Sequence, residues 1–162
     1  MDKDLLKELN NFLGKAAVKT YAGKGPEADP EIPGFKELEY QEGKWYYKDS
    51  YSGFFRSWGR EVVWRNKKPV WCCLYGGGMT KGRDRNTEFA HETFGFLKKA
   101  LSTGEKRKKF QPRGPRYFRE DDWEYSCVWE GNISNFEGNE KISHKKGVVF
   151  THTFIGGVIK TK

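Results

Sequence analysis

The chain has 162 residues, a formal charge of +8 and an aromatic fraction of 16%. That length favours one compact domain able to bury a core built on Trp, Tyr and Phe. No apolar run approaches the roughly 20 residues that span a bilayer, and the start MDKDLLKEL is too charged for a secretory signal, so the expectation is a cytoplasmic protein with no membrane partner.

In chain order, Leu5, Leu6, Leu9, Phe12, Leu13, Ala16 and Ala17 recur at helical spacing and predict an amphipathic first helix. The run from Tyr21 to Gly34 holds three prolines and three glycines and reads as a loop, followed by a short lead-in, Phe35 to Tyr40. From Lys44 to Gly78, alternating large residues separated by two turns describe a three-stranded meander. Asn86 or Thr87 then caps a second helix carrying Phe89, Phe94, Phe96, Leu97, Ala100 and Leu101, with Gly104 as its stop. The segment from Glu105 to Arg116, with six basic residues, reads as an exposed loop, and a second meander runs from Trp123 to Val158.

The two meanders match. At an offset of 78, Trp45, Tyr47, Tyr51 and Gly53 fall on Trp123, Tyr125, Trp129 and Gly131. At an offset of 79, Gly59, Glu61, Val63, Trp71 and Tyr75 fall on Gly138, Glu140, Ile142, Phe150 and Phe154. Phe12 and Phe96 lie 84 apart, so the repeated unit includes the helix. The expected fold is α+β: an internally duplicated helix plus three-stranded antiparallel meander, pseudo-twofold, with two helices packed on antiparallel sheet. Residues 1–162 would form a single domain of two half-repeats, about 4–80 and 86–160, joined by a basic connector, 81–119, that includes the second helix. That connector carries twelve basic and four acidic side chains, the whole of the net charge.

Glu61 and Glu140 share a face with the apolar position two residues on, and a buried carboxylate needs a partner. Either they fix the meander through hydrogen bonds, or they receive a cationic or hydrogen-bonding ligand in an aromatic-walled cavity near the pseudo-twofold axis. Trp45, Tyr47, Trp71, Tyr75, Tyr125 and Phe150 would be its walls. Asp49 and His152 break the repeat, matching Cys127 and Cys73, so the repeated architecture does not demand them. His91 belongs to the second helix, and His144, in a turn, is expected to be solvated. Three scattered histidines and Cys72, Cys73 and Cys127 without CxxC spacing give no metal site and no cofactor. The run GGGMTKG lacks phosphate-loop spacing and reads as a strand end. In the connector, Lys106, Arg107, Lys108, Lys109, Arg113 and Arg116 could neutralise phosphates without reading sequence.

The segments YYKDSYSGFF, WGREVVW, KKPVWCCLYGG, RGPRYF, FEGNE and IGG resemble an uncharacterised prokaryotic domain family sometimes fused to Xre-type helix-turn-helix transcription regulators. The resemblance implies a regulatory partner protein and a sensor role, and brings no activity with it. The reading is therefore a cytoplasmic, non-enzymatic small-ligand-binding module. The alternatives are a nucleic-acid-binding protein using the 105–119 loop and a hydrolase or lyase using Asp49, Glu61 or His152. Oligomeric state is not encoded in any motif found.

Overall fold

A computed structural model describes residues 1–22, 27–103 and 109–161. Helix α1 (Lys3–Ala17) begins where the Asp2 carboxylate accepts from Leu5 N–H at 2.8 Å, and it passes into a π-helical turn, Val18–Ala22. The strands of the first half are β1 (Glu27–Ala28), β2 (Lys36–Glu42), β3 (Trp45–Gly53), β4 (Arg56–Arg65) and β5 (Lys68–Met79). Helix α2 (Thr87–Ser102) is capped by Asn86, whose side chain accepts from Phe89 N–H. Then follow β6 (Tyr117–Glu120), β7 (Trp123–Asn132), β8 (Asn135–His144) and β9 (Gly147–Val158).

The nine strands among the described residues form one antiparallel sheet in the order β1-β2-β3-β4-β5-β9-β8-β7-β6. The expected fold of three-stranded meanders is thereby corrected. Strand β2, which begins in the lead-in, pairs along β3 and β6 pairs along β7, so each half contributes a four-stranded meander, the first extended by the two-residue β1, and the halves join edge to edge in one continuous sheet. Lys36–Glu42, KELEYQE, is mostly charged, which masks its strand pattern. A strand near the sheet edge can pair without an alternating apolar face.

The four-stranded meanders of the two halves share their pairing pattern. Register shifts occur after Val63 in β4 and after Ile142 in β8, 79 residues apart. Each is followed by a tight turn with two left-handed residues, Asn66–Lys67 and Lys145–Lys146. Phe12 of α1 stacks on Tyr40 and Trp45; Phe96 of α2 packs on Phe118 and Trp123. In the central pairing Tyr75 lies opposite Phe154, and the pairs Trp71–Val158 and Met79–Phe150 flank it symmetrically. A local twofold axis therefore passes between Tyr75 and Phe154.

One face of the sheet, with the inner sides of α1 and α2, forms the aromatic core. The other is open, exposing Trp58, Leu74, Val128 and Ile155. The Gly76–Gly78 run lies inside β5, as a strand end rather than a phosphate loop. His144, expected in water, instead stacks on Trp123 at 4.3 Å, because it is the last residue of β8 and lies directly opposite Trp123 of β7.

Candidate functional site: a charged cluster on the local twofold axis

Adjacent strands place their side chains in rows across the covered face. The row on the axis runs Tyr51, Gly59, Tyr75, Phe154, Gly138 and Trp129. On one side of it lie Asp49, Glu61, Cys73, Gly156, Phe136 and Gly131; on the other lie Gly53, Ser57, Gly77, His152, Glu140 and Cys127. The two outer rows are images of each other under the axis, which brings Glu61 and Glu140 to the centre from opposite halves.

Between them sits Arg113, from the connector. Its Nη1 donates to Glu61 Oε1, its Nε donates to Glu140 Oε1 at 3.2 Å, and its guanidinium carbon lies 4.4 Å from the Tyr75 ring centroid. Expected in an exposed loop, its side chain is 9% exposed. Arg113–Gly114–Pro115 reaches the core because Gly114 has no side chain. A Cβ there would lie 2.6 Å from the Tyr125 hydroxyl, which accepts from Gly114 N–H at 3.0 Å. That hydroxyl donates in turn to Glu140 Oε2 at 2.6 Å, and His152 Nδ1 faces Glu140 Oε1 at 3.2 Å.

The electrostatics split the carboxylates. Burial alone would raise Glu140, but Arg113, His152 and Tyr125 together outweigh it and hold the group down at about 2. Asp49 is driven the other way, up to about 7. Burial and the neighbouring Glu61 charge prevail over the Tyr75 hydroxyl, which donates to Asp49 Oδ1 at 2.8 Å, and over Arg113. Burial pushes the Cys73 thiol well above its ordinary range and Cys127 up to about 12, so neither supplies a thiolate at neutral pH.

Above this cluster, between the sheet and both helices, lies a cavity of about 500 Å³. Of the ten residues singled out from sequence, Tyr47, Asp49, Glu61, Tyr75, Phe150 and His152 line it. The other four are placed elsewhere. Trp45 packs under α1 against Phe12. Trp71 donates from Nε1 to Ile133 C=O and stacks on Phe136. Tyr125 and Glu140 lie in the network beneath Arg113. Of the basic connector residues, Lys106, Arg107 and Lys108 lie outside the described residues, Lys109 is exposed, and Arg116 lies 3.8 Å over the Trp129 ring.

Among the lining residues that the sequence does not assign to the cavity are Arg113 and Ser57. Arg113 is hidden by the basic run around it, although two inward-facing glutamates call for a cation. Ser57 has a signal of the same kind as Asp49 and His152, since it falls on Phe136 in the repeat.

The cavity occupies one side of the axis. In the equivalent place Phe136 leans over Gly156, where a Cβ would lie 2.5 Å from its ring, and Phe110 and Trp71 pack against Phe136 at 5.0 and 5.7 Å. Asp49, Ser57 and His152 line the open space, whereas on the other side Phe136 fills the place equivalent to Ser57 and the counterparts of Asp49 and His152 are the buried thiols Cys127 and Cys73.

Among the described residues there is no group of three or more His, Cys, Asp or Glu that could hold a metal ion, and no helix long and apolar enough to cross a membrane. No curated protein and no solved structure matches the chain. Residues 49–159, from Asp49 through the end of β9, match the model of a domain of unknown function, DUF5680, and the chain belongs to that family.

Proposed function

We propose that the chain is a cytoplasmic small-ligand-binding module of sensor type. Its ligand would combine an apolar body with an amine or other hydrogen-bond-donating group. The observation that carries this reading is the asymmetry of the cavity: about 500 Å³ of space stands open beside Asp49, Ser57 and His152, while an aromatic plug fills the equivalent place. Architecture repeated on both sides of an axis explains Glu61 and Glu140 but not a Ser57 that clears one side, nor Asp49 and His152 as polar groups facing the space it leaves. Internal duplication followed by divergence at these three positions accounts for the pattern. A cavity of this size suits a small organic molecule, with Phe94, Tyr47 and Phe150 as walls and Asp49 as the anchor for a donor.

The test is a thermal-shift screen of amines and metabolites, followed by calorimetry. Occupancy at tenfold excess over Kd raises stability by about 1.4 kcal/mol. Two variants locate the site. Asp49→Asn weakens a cationic ligand about tenfold or more, by loss of a buried charge partner. Ser57→Phe, which copies the residue of the filled side, abolishes binding while circular dichroism stays native. Undiminished affinity in Ser57→Phe would place the ligand elsewhere.

A further inference from the structure

Ser57 on β4 and His152 on β9 are separated by β5, a gap of roughly 9.6 Å between backbones. Their side chains meet because the residue between them in the row is Gly77. A Cβ on Gly77 would press within 3.2 Å of His152 Cδ2. Across this gap Ser57 Oγ lies 3.4 Å from His152 Nε2, and the other ring nitrogen, Nδ1, lies 3.2 Å from Glu140 Oε1. Glu140 is fully buried and further held by Tyr125 and Arg113. With Nδ1–H donating to that carboxylate, Nε2 is left to accept from the Ser57 hydroxyl. Ser57 and His152 both open into the cavity. On the other side of the axis the same positions hold Phe136 and Cys73, so the repeated fold does not require the chain of contacts.

We propose that Ser57, His152 and Glu140 form a nucleophile, a base and an orienting carboxylate that hydrolyse small carboxylic esters held in the cavity. This rests on the reading of the cavity as a small-molecule site and names the substrate class. Ser57 Oγ attacks the acyl carbon while its proton passes to His152 Nε2. The acyl C–O bond then breaks, and the alkoxide leaves as an alcohol carrying that proton. Water attacks the acyl-Ser57 ester, gives a proton to His152 and releases the carboxylic acid, and the same proton returns to Ser57 Oγ. Glu140 holds the ring in the one tautomer that leaves Nε2 free to accept. The apolar wall of Tyr47, Phe94 and Phe150 fits short acyl chains.

The experiment exposes the full chain to a small alkyl fluorophosphonate, which loses fluoride to an activated serine, and follows p-nitrophenyl butyrate hydrolysis in parallel. The expected result is one adduct by intact mass, mapped to Ser57. Ser57→Ala abolishes both signals, and His152→Gln, folded by circular dichroism, slows both about 100-fold or more. No adduct, an adduct on another residue, or hydrolysis unchanged in Ser57→Ala overturns the relay. The amine screen run on the same wild-type preparation separates the two readings: a ligand-induced shift without an adduct overturns the relay and leaves the cavity reading standing, whereas absence of both removes the two together.

Discussion

Arg113 is the one cation that meets both buried glutamates among the described contacts, and its removal would strand them. Stripping the partner from a buried ion pair costs about 3–5 kcal/mol, because the remaining charge keeps its desolvation penalty. Arg113→Met should therefore destabilise the fold by about that much in urea titrations. Adding Glu61→Gln and Glu140→Gln to Arg113→Met should recover a large part of the loss. If the triple variant is no more stable than the single one, the cost lies in packing on Tyr75 and not in stranded charge.

Asp49 and Glu140 give opposite pH dependences. Glu140, held at about 2, contributes stability that is complete above the ordinary carboxylate range and lost as pH falls through that range toward 2. Asp49, raised to about 7, binds its proton more tightly folded than unfolded, so its contribution is present below about pH 4 and lost as pH rises toward 7. The groups facing it are Glu61, the Tyr75 hydroxyl, Tyr47 and Arg113. Asp49→Asn should then gain on the wild type between pH 4.5 and pH 8, by on the order of a few kcal/mol, since each tenfold difference in proton affinity between folded and unfolded chain is worth about 1.4 kcal/mol. Denaturation curves of the two proteins at both pH values test this, and a pH-independent difference would contradict it.

At the level of elements, β5 carries a tight backbone constraint in the site. Gly77 has φ of +138°, and a Cβ there would lie 2.3 Å from Thr151 C=O. Gly77→Ala should cost about 2 kcal/mol or more and push β9 away from β5. Gly95, inside α2, meets nothing within 4 Å, and Gly95→Ala should stabilise by up to about 1 kcal/mol through helix propensity. Paired thermal melts distinguish a glycine kept for geometry from one that is merely tolerated.

Strand by strand, the sequence is most legible where aromatic residues alternate. Trp45, Tyr47 and Tyr51 mark β3, and Trp123, Tyr125 and Trp129 mark β7, because these alternating aromatics share the face that the helices cover. The helices are legible for the same reason, through Leu9, Phe12 and Leu13 in α1 and Phe96 and Leu97 in α2. The charged strand β2 is less so, since only Leu38 and Tyr40 of its seven residues are apolar or aromatic and its charged neighbours mask that short alternation. Site residues follow the same division. Residues on alternating strands, Asp49, Glu61, Tyr75 and His152, can be assigned to a face. Arg113 cannot, because its position depends on a connector folding back across the axis, and neither periodicity nor composition encodes that path.

For the molecule as a whole, the local axis organises the charges as well as the strands. Two identical halves related by an axis would present every group twice, two glutamates and two arginines, with the cations repelling each other where they meet. A single continuous chain escapes this pairing, since its connector delivers one guanidinium to the axis to serve both carboxylates. The family match begins at Asp49, yet α1, which precedes it, supplies part of the cavity roof through Leu13 and Ala17. Variants that loosen α1 should therefore be judged by ligand occupancy and not by fold alone.

The position of β9 bears on how the protein is made. It is the last of the nine strands to leave the ribosome and lies near the middle of the sheet, between β5 and β8. Until it emerges, β5 and β8 each present an unpaired edge, and the residues on either side of the axis have no common surface. Before that step the nascent chain carries two incomplete sheets, β1–β5 and β6–β8. The cavity and its charged floor come into being in a single late step, when one strand closes both edges at once.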